Sequence, residues 1–263
     1  MLYSADKLIK HTDTNKQEHT PHVGRLDYQA VTRRRRPHHN PPDGTLFLTF
    51  RLFGSIPKSV ARAYRAKLHH LKDQLQRVEL LSGDNLSEDV LNWRAKLEVL
   101  NKEWFLKTEQ ILHKANNGPT WLKDPDVADK VAENLKRLDG SAYRLDAYSI
   151  MSNHVHTIFK PFLSNEEIIL WDDELLNLGE HPGLSKIMHS LKGRRARECN
   201  LLLQRNGSFW EHESFDRVIR DGKFDETVRY VLNNPVKVGL VSDWEDWRWN
   251  YCRPDLFELF RKK

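Results

Sequence analysis

The stretch YRLDAYSIMSNHVHTIFKP, residues 143–161, decides the fold. It reads as two β stretches, or one bent strand, interrupted near Ser152-Asn153. His154 and His156 stand at i and i+2. Strand side chains alternate between faces, so both imidazoles point the same way. Such a pair can close on one metal ion or one phosphate, or it can sit at a wet sheet edge. The motif alone does not choose between these. No HExxH occurs in the chain, so hydrolytic zinc chemistry has no support.

Working outward, TLFLTFRLFG (45–54) is β-rich and reads as the first strand. From Lys58 to about Lys114 the pattern is helical and heavily charged, and SGDN (82–85) breaks it into a helical hairpin. That hairpin is expected to be a surface insertion packed on itself. Asp124 is placed to cap a helix that has Pro125 at its first position and ends at Gly140. An irregular acidic linker (163–182) leads to a basic helix over 184–203. GSFWEHESFDRVIR (207–220) reads as a strand or hairpin, and FDETVRYVLNNP (224–235) as a helix stopped by Pro235. The expected class is α+β: a ferredoxin-like antiparallel sheet with the histidine pair on a central strand, helices packed on one face, and a helical insertion.

The chain of 263 residues suits one large domain, or one domain with a sizeable insertion. Residues 1–32 form a polar arm, 33–251 the domain with its insertion at about 58–114, and 252–263 a tail. Apolar runs such as TLFLTF are far too short to span a bilayer. The N-terminus has no apolar leader core, and Cys199 and Cys252 lack a CxxC spacing. Free thiols in a reducing cytoplasm are the expectation.

Lys and Arg number 42 against 37 Asp and Glu, a net charge of +5. The surplus is clustered. Arg33, Arg34, Arg35 and Arg36 form one run, and Lys186, Lys192, Arg194, Arg195 and Arg197 lie in a segment without acids. For Lys192, Arg194, Arg195 and Arg197 the alternatives are contact with nucleic-acid phosphates or a solvated helix face. Residues 33–36 reach phosphates, or form a basic arm. Trp210 and the later tryptophans either pack in the core or stack on unpaired bases. Glu211 and Glu213 either orient a metal ligand or pair with Arg217.

Along 224–234, Phe224, Val228, Val231 and Leu232 gather on one stripe at 100° per residue, and Tyr230 falls well off it. Asn234 is four residues on, along the same edge as Tyr230. Position alone leaves Tyr230 as a surface residue or a nucleophile.

RRRRPHHNPPDGTLFLTFRLFGSIP, YRLDAYSIMSNHVHTIFKP, LSKIMHSLKGRRAR, GSFWEHESFDRVIRD and YVLNNPVKVGL follow one another in an order that resembles the REP-associated tyrosine transposases. These are single-tyrosine members of the HUH nuclease superfamily, and the resemblance spans roughly residues 33–251. It implies that His154 and His156 bind a divalent metal, Mg or Mn, with Asn234 as third ligand. It implies Tyr230 as the nucleophile, and single-stranded, hairpin or repetitive palindromic DNA as the partner. The expected activity is DNA cleavage and strand transfer through a 5′-phosphotyrosine, by a monomer. Ser152 departs from the pattern, which has proline there. Asn233, beside Asn234, leaves open which asparagine meets the metal. The competing reading is a DNA-binding protein that keeps the fold without cleavage. A hydrolase using water would leave Tyr230 without a role.

Overall fold

The computed structural model describes residues 44–83, 87–162 and 184–261. The Arg33–Arg36 run and the whole of the acidic linker (163–182) lie outside the described residues. A five-stranded sheet is built from β1 (Leu46–Arg51), β2 (Tyr143–Ile150), β3 (His154–Pro161), β4 (Phe215–Val218) and β5 (Asn250–Cys252). Its order is β4-β1-β3-β2-β5, and every pairing is antiparallel. The interrupted stretch is therefore two strands in a hairpin, closed where Met151 N–H donates to the His154 carbonyl. β3 is central, as expected.

Helices cover both faces rather than one. Leu46, Leu48, Phe50, Val155 and Phe159 face α3 (Pro125–Arg137) and the pair α4 (Leu184–Lys192) and α5 (Arg194–Leu202). Phe47, Ala147 and Ile158 face α6 (Phe224–Leu232) and α8 (Pro254–Phe260). Covering both sides explains why β1 is buried at every position. It is also why TLFLTF reads as a near-continuous apolar run rather than a half-polar strand. A register shift between Leu145 and Ala147 bulges β2 at Asp146 and re-aims the rest of the strand. The stretch read as a tail carries the end of β5 and α8, with Cys252, Leu256 and Phe260 buried. Both cysteines are free and buried.

The predicted start of α3 holds: the Asp124 carboxylate accepts from the N–H groups of Asp126 and Val127. The basic helix expected over 184–203 is broken at Gly193, where a Cβ would stand 2.7 Å from the His189 carbonyl oxygen. Nor does Pro235 end the helical run. α6 stops at Leu232 and a single turn, α7 (Asn234–Lys237), comes next with Pro235 near its start. Proline is tolerated in the first turn because the N–H it lacks has no partner there.

The hairpin α1 (Lys58–Ser82) and α2 (Glu88–Lys114) does pack on itself, with Tyr64 stacked on Trp104 at 4.1 Å. Its far end does more. Leu100, Trp104, Thr108 and Leu112 recur every four residues and are buried, and Glu109 is buried beside them. The last turns of α2 thus leave the hairpin and close over the sheet face that carries the two histidines.

Candidate metal centre and tyrosine site

β3 carries His154 and His156 into the interior, both fully buried, with their Nε2 atoms 3.2 Å apart. A wet sheet edge is excluded. Each ring is fixed from behind. Thr49 lies opposite His156 in the β1–β3 register, and its Oγ1 is 2.8 Å from His156 Nδ1. Asn153 uses its Nδ2–H to donate to the Leu112 carbonyl, so its Oδ1 faces His154 Nδ1 at 2.7 Å. That partnership assigns the proton of His154 to Nδ1 and leaves the Nε2 lone pair pointing into the cluster. Burial, with His156 alongside, holds the His154 imidazole well below its usual range, in the neutral form a metal needs.

α2 contributes two groups that the sequence reading left in a self-packed insertion. Glu109 and His113 are four residues apart on one helix face. Glu109 Oε2 lies 3.2 Å from His156 Nε2 and 3.5 Å from His113 Nε2, and it accepts a hydrogen bond from the Tyr230 hydroxyl. Burial alone would raise the Glu109 carboxyl. The His156 imidazole, with His154 and the Tyr230 hydroxyl adding to it, instead holds it well below the usual carboxylate range. Its other oxygen, Oε1, is buried without a hydrogen-bond partner.

Tyr230 is half-buried rather than on an open face. Its ring meets Phe47 edge-on at 5.9 Å and His156 at 5.6 Å, beneath Phe105 of α2. The face of α6 that looks solvent-bound in the sequence is covered by the hairpin. Burial and the Glu109 carboxylate push the Tyr230 phenol well above its usual range. The Lys237 ammonium sits 3.8 Å from the Tyr230 ring centre. Across the site, the exposed Arg217 lies over Phe47 at 5.2 Å.

Of the two asparagines, Asn234 turns inward and is fully buried, whereas the half-buried Asn233 donates to the Arg229 carbonyl. Asn234 Nδ2 faces the Tyr230 carbonyl at 3.5 Å, which presents its Oδ1 to His113 Nε2 at 2.7 Å. Burial keeps His113 below its usual range, partly offset by Glu109 and Asn234.

The donor atoms of Glu109, His113, His154 and His156 all lie within 4.8 Å of one another. Two imidazoles held by their far nitrogens and a buried carboxylate with one unpartnered oxygen are a donor set that fits a divalent cation.

The basic residues are placed less simply. Lys192 donates to the carbonyls of Glu211 and His212 and to Ser214 Oγ, stitching the loop before β4 to α4. Arg195 pairs with Glu198 at 2.5 Å, and Arg197 is exposed. Arg194 opens α5, but its side chain lies outside the described residues. Neither glutamate of the 207–220 stretch shows the expected pairing with Arg217. Glu213 pairs with Arg65 at 3.6 Å, and Glu211 accepts from the Gly54 N–H. Trp210 and Trp244 are buried in the core.

Fold and site together define an α+β protein in which two histidines from the central strand and a carboxylate from the helical hairpin meet beside a tyrosine. No family model matches the chain, and no curated protein matches it by sequence. Among solved structures it is similar to a REP-associated tyrosine transposase bound to a REP hairpin, at 14% identity and a TM-score of 0.43. That match covers 84% of this chain and 83% of the other. Among the described residues, no helix is long and apolar enough to cross a membrane.

Proposed function

We propose that the protein is a metal-dependent endonuclease and strand transferase for single-stranded or hairpin DNA, with Tyr230 as nucleophile. One observation carries the reading: the Tyr230 hydroxyl meets Glu109, whose carboxylate is 3.2 Å from His156. A pure DNA-binding protein has no use for a phenol aimed at buried imidazoles.

His154 and His156 would hold the divalent ion, Mg or Mn, with an oxygen donor beside them. The mixed nitrogen and oxygen set suits manganese at least as well as magnesium. Bound there, the cation supplies Lewis acidity to a phosphate oxygen and positive charge beside the phenol. The protein's own groups do the rest. The packing of Phe47 and Phe105 fixes the Tyr230 ring, so the hydroxyl approaches from one direction. Tyr230 Oη bonds to phosphorus as the bond from phosphorus to the 3′ oxygen breaks. Glu109 Oε2 accepts the phenol's hydrogen bond and so orients Oη toward phosphorus. The phenol proton leaves to solvent as the new bond forms, and a proton from solvent completes the 3′ hydroxyl. The 5′-phosphotyrosine conserves the energy of the broken bond, so a second 3′ hydroxyl can displace Tyr230 without ATP. Lys237 and Arg217 flank the phenol with positive charge for the phosphate. Arg33–Arg36, Arg194 and Arg197 are proposed to follow the DNA backbone. Lys192 and Arg195 would first have to leave their internal partners.

The test is incubation with Mn²⁺ and an end-labelled hairpin oligonucleotide, then denaturing electrophoresis. A covalent adduct is expected with the wild type and none with Tyr230→Phe. An undiminished adduct in that variant would overturn the assignment.

A further inference from the structure

A charged surface helix has little reason to bury a glutamate, because an ionised carboxylate out of water is costly unless its lone pairs are met. Glu109 is 5% exposed. Its Oε2 is met by Tyr230, with His156 close by, yet its Oε1 is sealed in without a partner. A buried carboxylate that is half satisfied, beside two imidazoles whose Nε2 atoms face each other at 3.2 Å, is short of positive charge. Hydrogen bonds within the cluster do not supply it.

The remaining oxygen donor is spoken for. Asn234 Oδ1 faces His113 Nε2 at 2.7 Å, and Asn234 Nδ2 faces the Tyr230 carbonyl. With the carboxamide turned that way, His113 Nε2 carries a hydrogen and donates it, so it has no lone pair to offer the cluster. Asn234 is a neutral ligand already in use; Glu109 is an anionic one with an oxygen to spare.

We infer that Glu109, delivered by the helical hairpin, is the oxygen ligand that completes a two-histidine, one-carboxylate cation site. His113 and Asn234 form a positioning pair that joins the end of α2 to the tyrosine helix. The inference rests on the reading of this cluster as a divalent metal site and departs from the expectation that Asn234 is the third ligand. Three protein ligands would leave positions on the cation for phosphate oxygens. The hairpin then belongs to the active site. Both the metal and the Tyr230 hydroxyl depend on one carboxylate, so the nucleophile is held where the cation binds.

Mn²⁺ binding to the full chain, read by loss of the free-ion electron paramagnetic resonance signal, separates the alternatives without any DNA. Glu109→Gln should weaken binding at least ~10–100-fold, since even supporting residues around a metal cost that much. Glu109→Asp should recover part of the loss, and Asn234→Ala should lose clearly less affinity than Glu109→Gln, because Asn234 reaches the cluster only through His113. Metal-free thermal melts identify any variant that has simply unfolded. Wild-type affinity in Glu109→Gln, or an equal loss in Asn234→Ala, overturns the inference. Failure of the transferase reading looks different. In that case Mn²⁺ binds in a Glu109-dependent way, but no adduct forms on DNA. Conversely, a Mn²⁺-dependent adduct with unchanged Mn²⁺ affinity in Glu109→Gln sinks the ligand inference alone.

Discussion

Replacing Gly118 by alanine tests how α2 is tied to the sheet. Gly118 lies just past the end of α2 and has φ +70°; a Cβ there would lie 2.3 Å from the Gly54 carbonyl oxygen and 2.8 Å from Ser55 Cα. All of these neighbours are backbone, so no flexible side chain can swing aside. Ordinary contact begins at 3.4 Å, and the two segments must part by more than an ångström. Left-handed backbone costs a non-glycine residue about 1–2 kcal/mol. The enforced overpacking adds ~1–3 kcal/mol, for a total of ~2–5 kcal/mol. With a urea slope of ~3 kcal/mol per molar, the unfolding midpoint should fall by about 0.7–1.7 M. Gly54→Ala is the matched control. Gly54 also has positive φ, at +79°, but its added Cβ meets nothing within 4 Å. It should lose only the backbone part, about 0.3–0.7 M. Equal midpoint shifts in the two variants would refute the close approach of the segments. Because α2 also carries Glu109, the Mn²⁺ affinity of Gly118→Ala should fall as well, while that of Gly54→Ala should hold.

Thr49→Val keeps the shape of the side chain but removes the hydroxyl behind His156. Mn²⁺ affinity measured by titration should drop ~10–100-fold with a stability loss of about 1–3 kcal/mol, and unchanged affinity would remove Thr49 from the site. Lys237→Ala removes an exposed ammonium that packs on the Tyr230 ring. Single-turnover adduct formation should slow ~10-fold while the melting temperature barely moves, since an exposed cation–π contact is worth only ~0.5–1 kcal/mol. A wild-type rate in Lys237→Ala would show that it has no part in phosphate neutralisation.

The antiparallel α+β class and the central place of His154 and His156 were legible in the sequence. Alternation, turn residues and the i, i+2 spacing are local signals, and the sheet obeyed them. The cap at Asp124-Pro125 was legible for the same reason. What the sequence hid is what arises between distant segments. Glu109 and His113 form an i, i+4 pair, but α2 is full of charged residues at that spacing, and nothing local marks this pair as inward. Their role appears only once the Leu100–Leu112 stripe seats the helix end against β3. Tyr230 looked exposed because helical periodicity counts only the helix's own stripe and cannot see a second helix covering the other side. Thr49 gained its role from strand register, which fixes it opposite His156. Helices on both faces were missed because the polar faces of α4 and α5 dominate the composition of that segment. The break at Gly193 depends on one backbone approach that composition does not encode. Lys192 shows the same limit: a basic helix suggests phosphate contacts, and only the fold reveals that its ammonium also meets the Glu211 and His212 carbonyls.

Peptide mapping by mass spectrometry of the protein after reaction with a hairpin oligonucleotide and Mn²⁺ addresses the central claim most directly. The account predicts a nucleotide 5′-phosphate carried on the peptide containing Tyr230, at that residue, and dependent on His154 and His156. A modified peptide elsewhere in the chain, or cleavage with no covalent protein product, would contradict it.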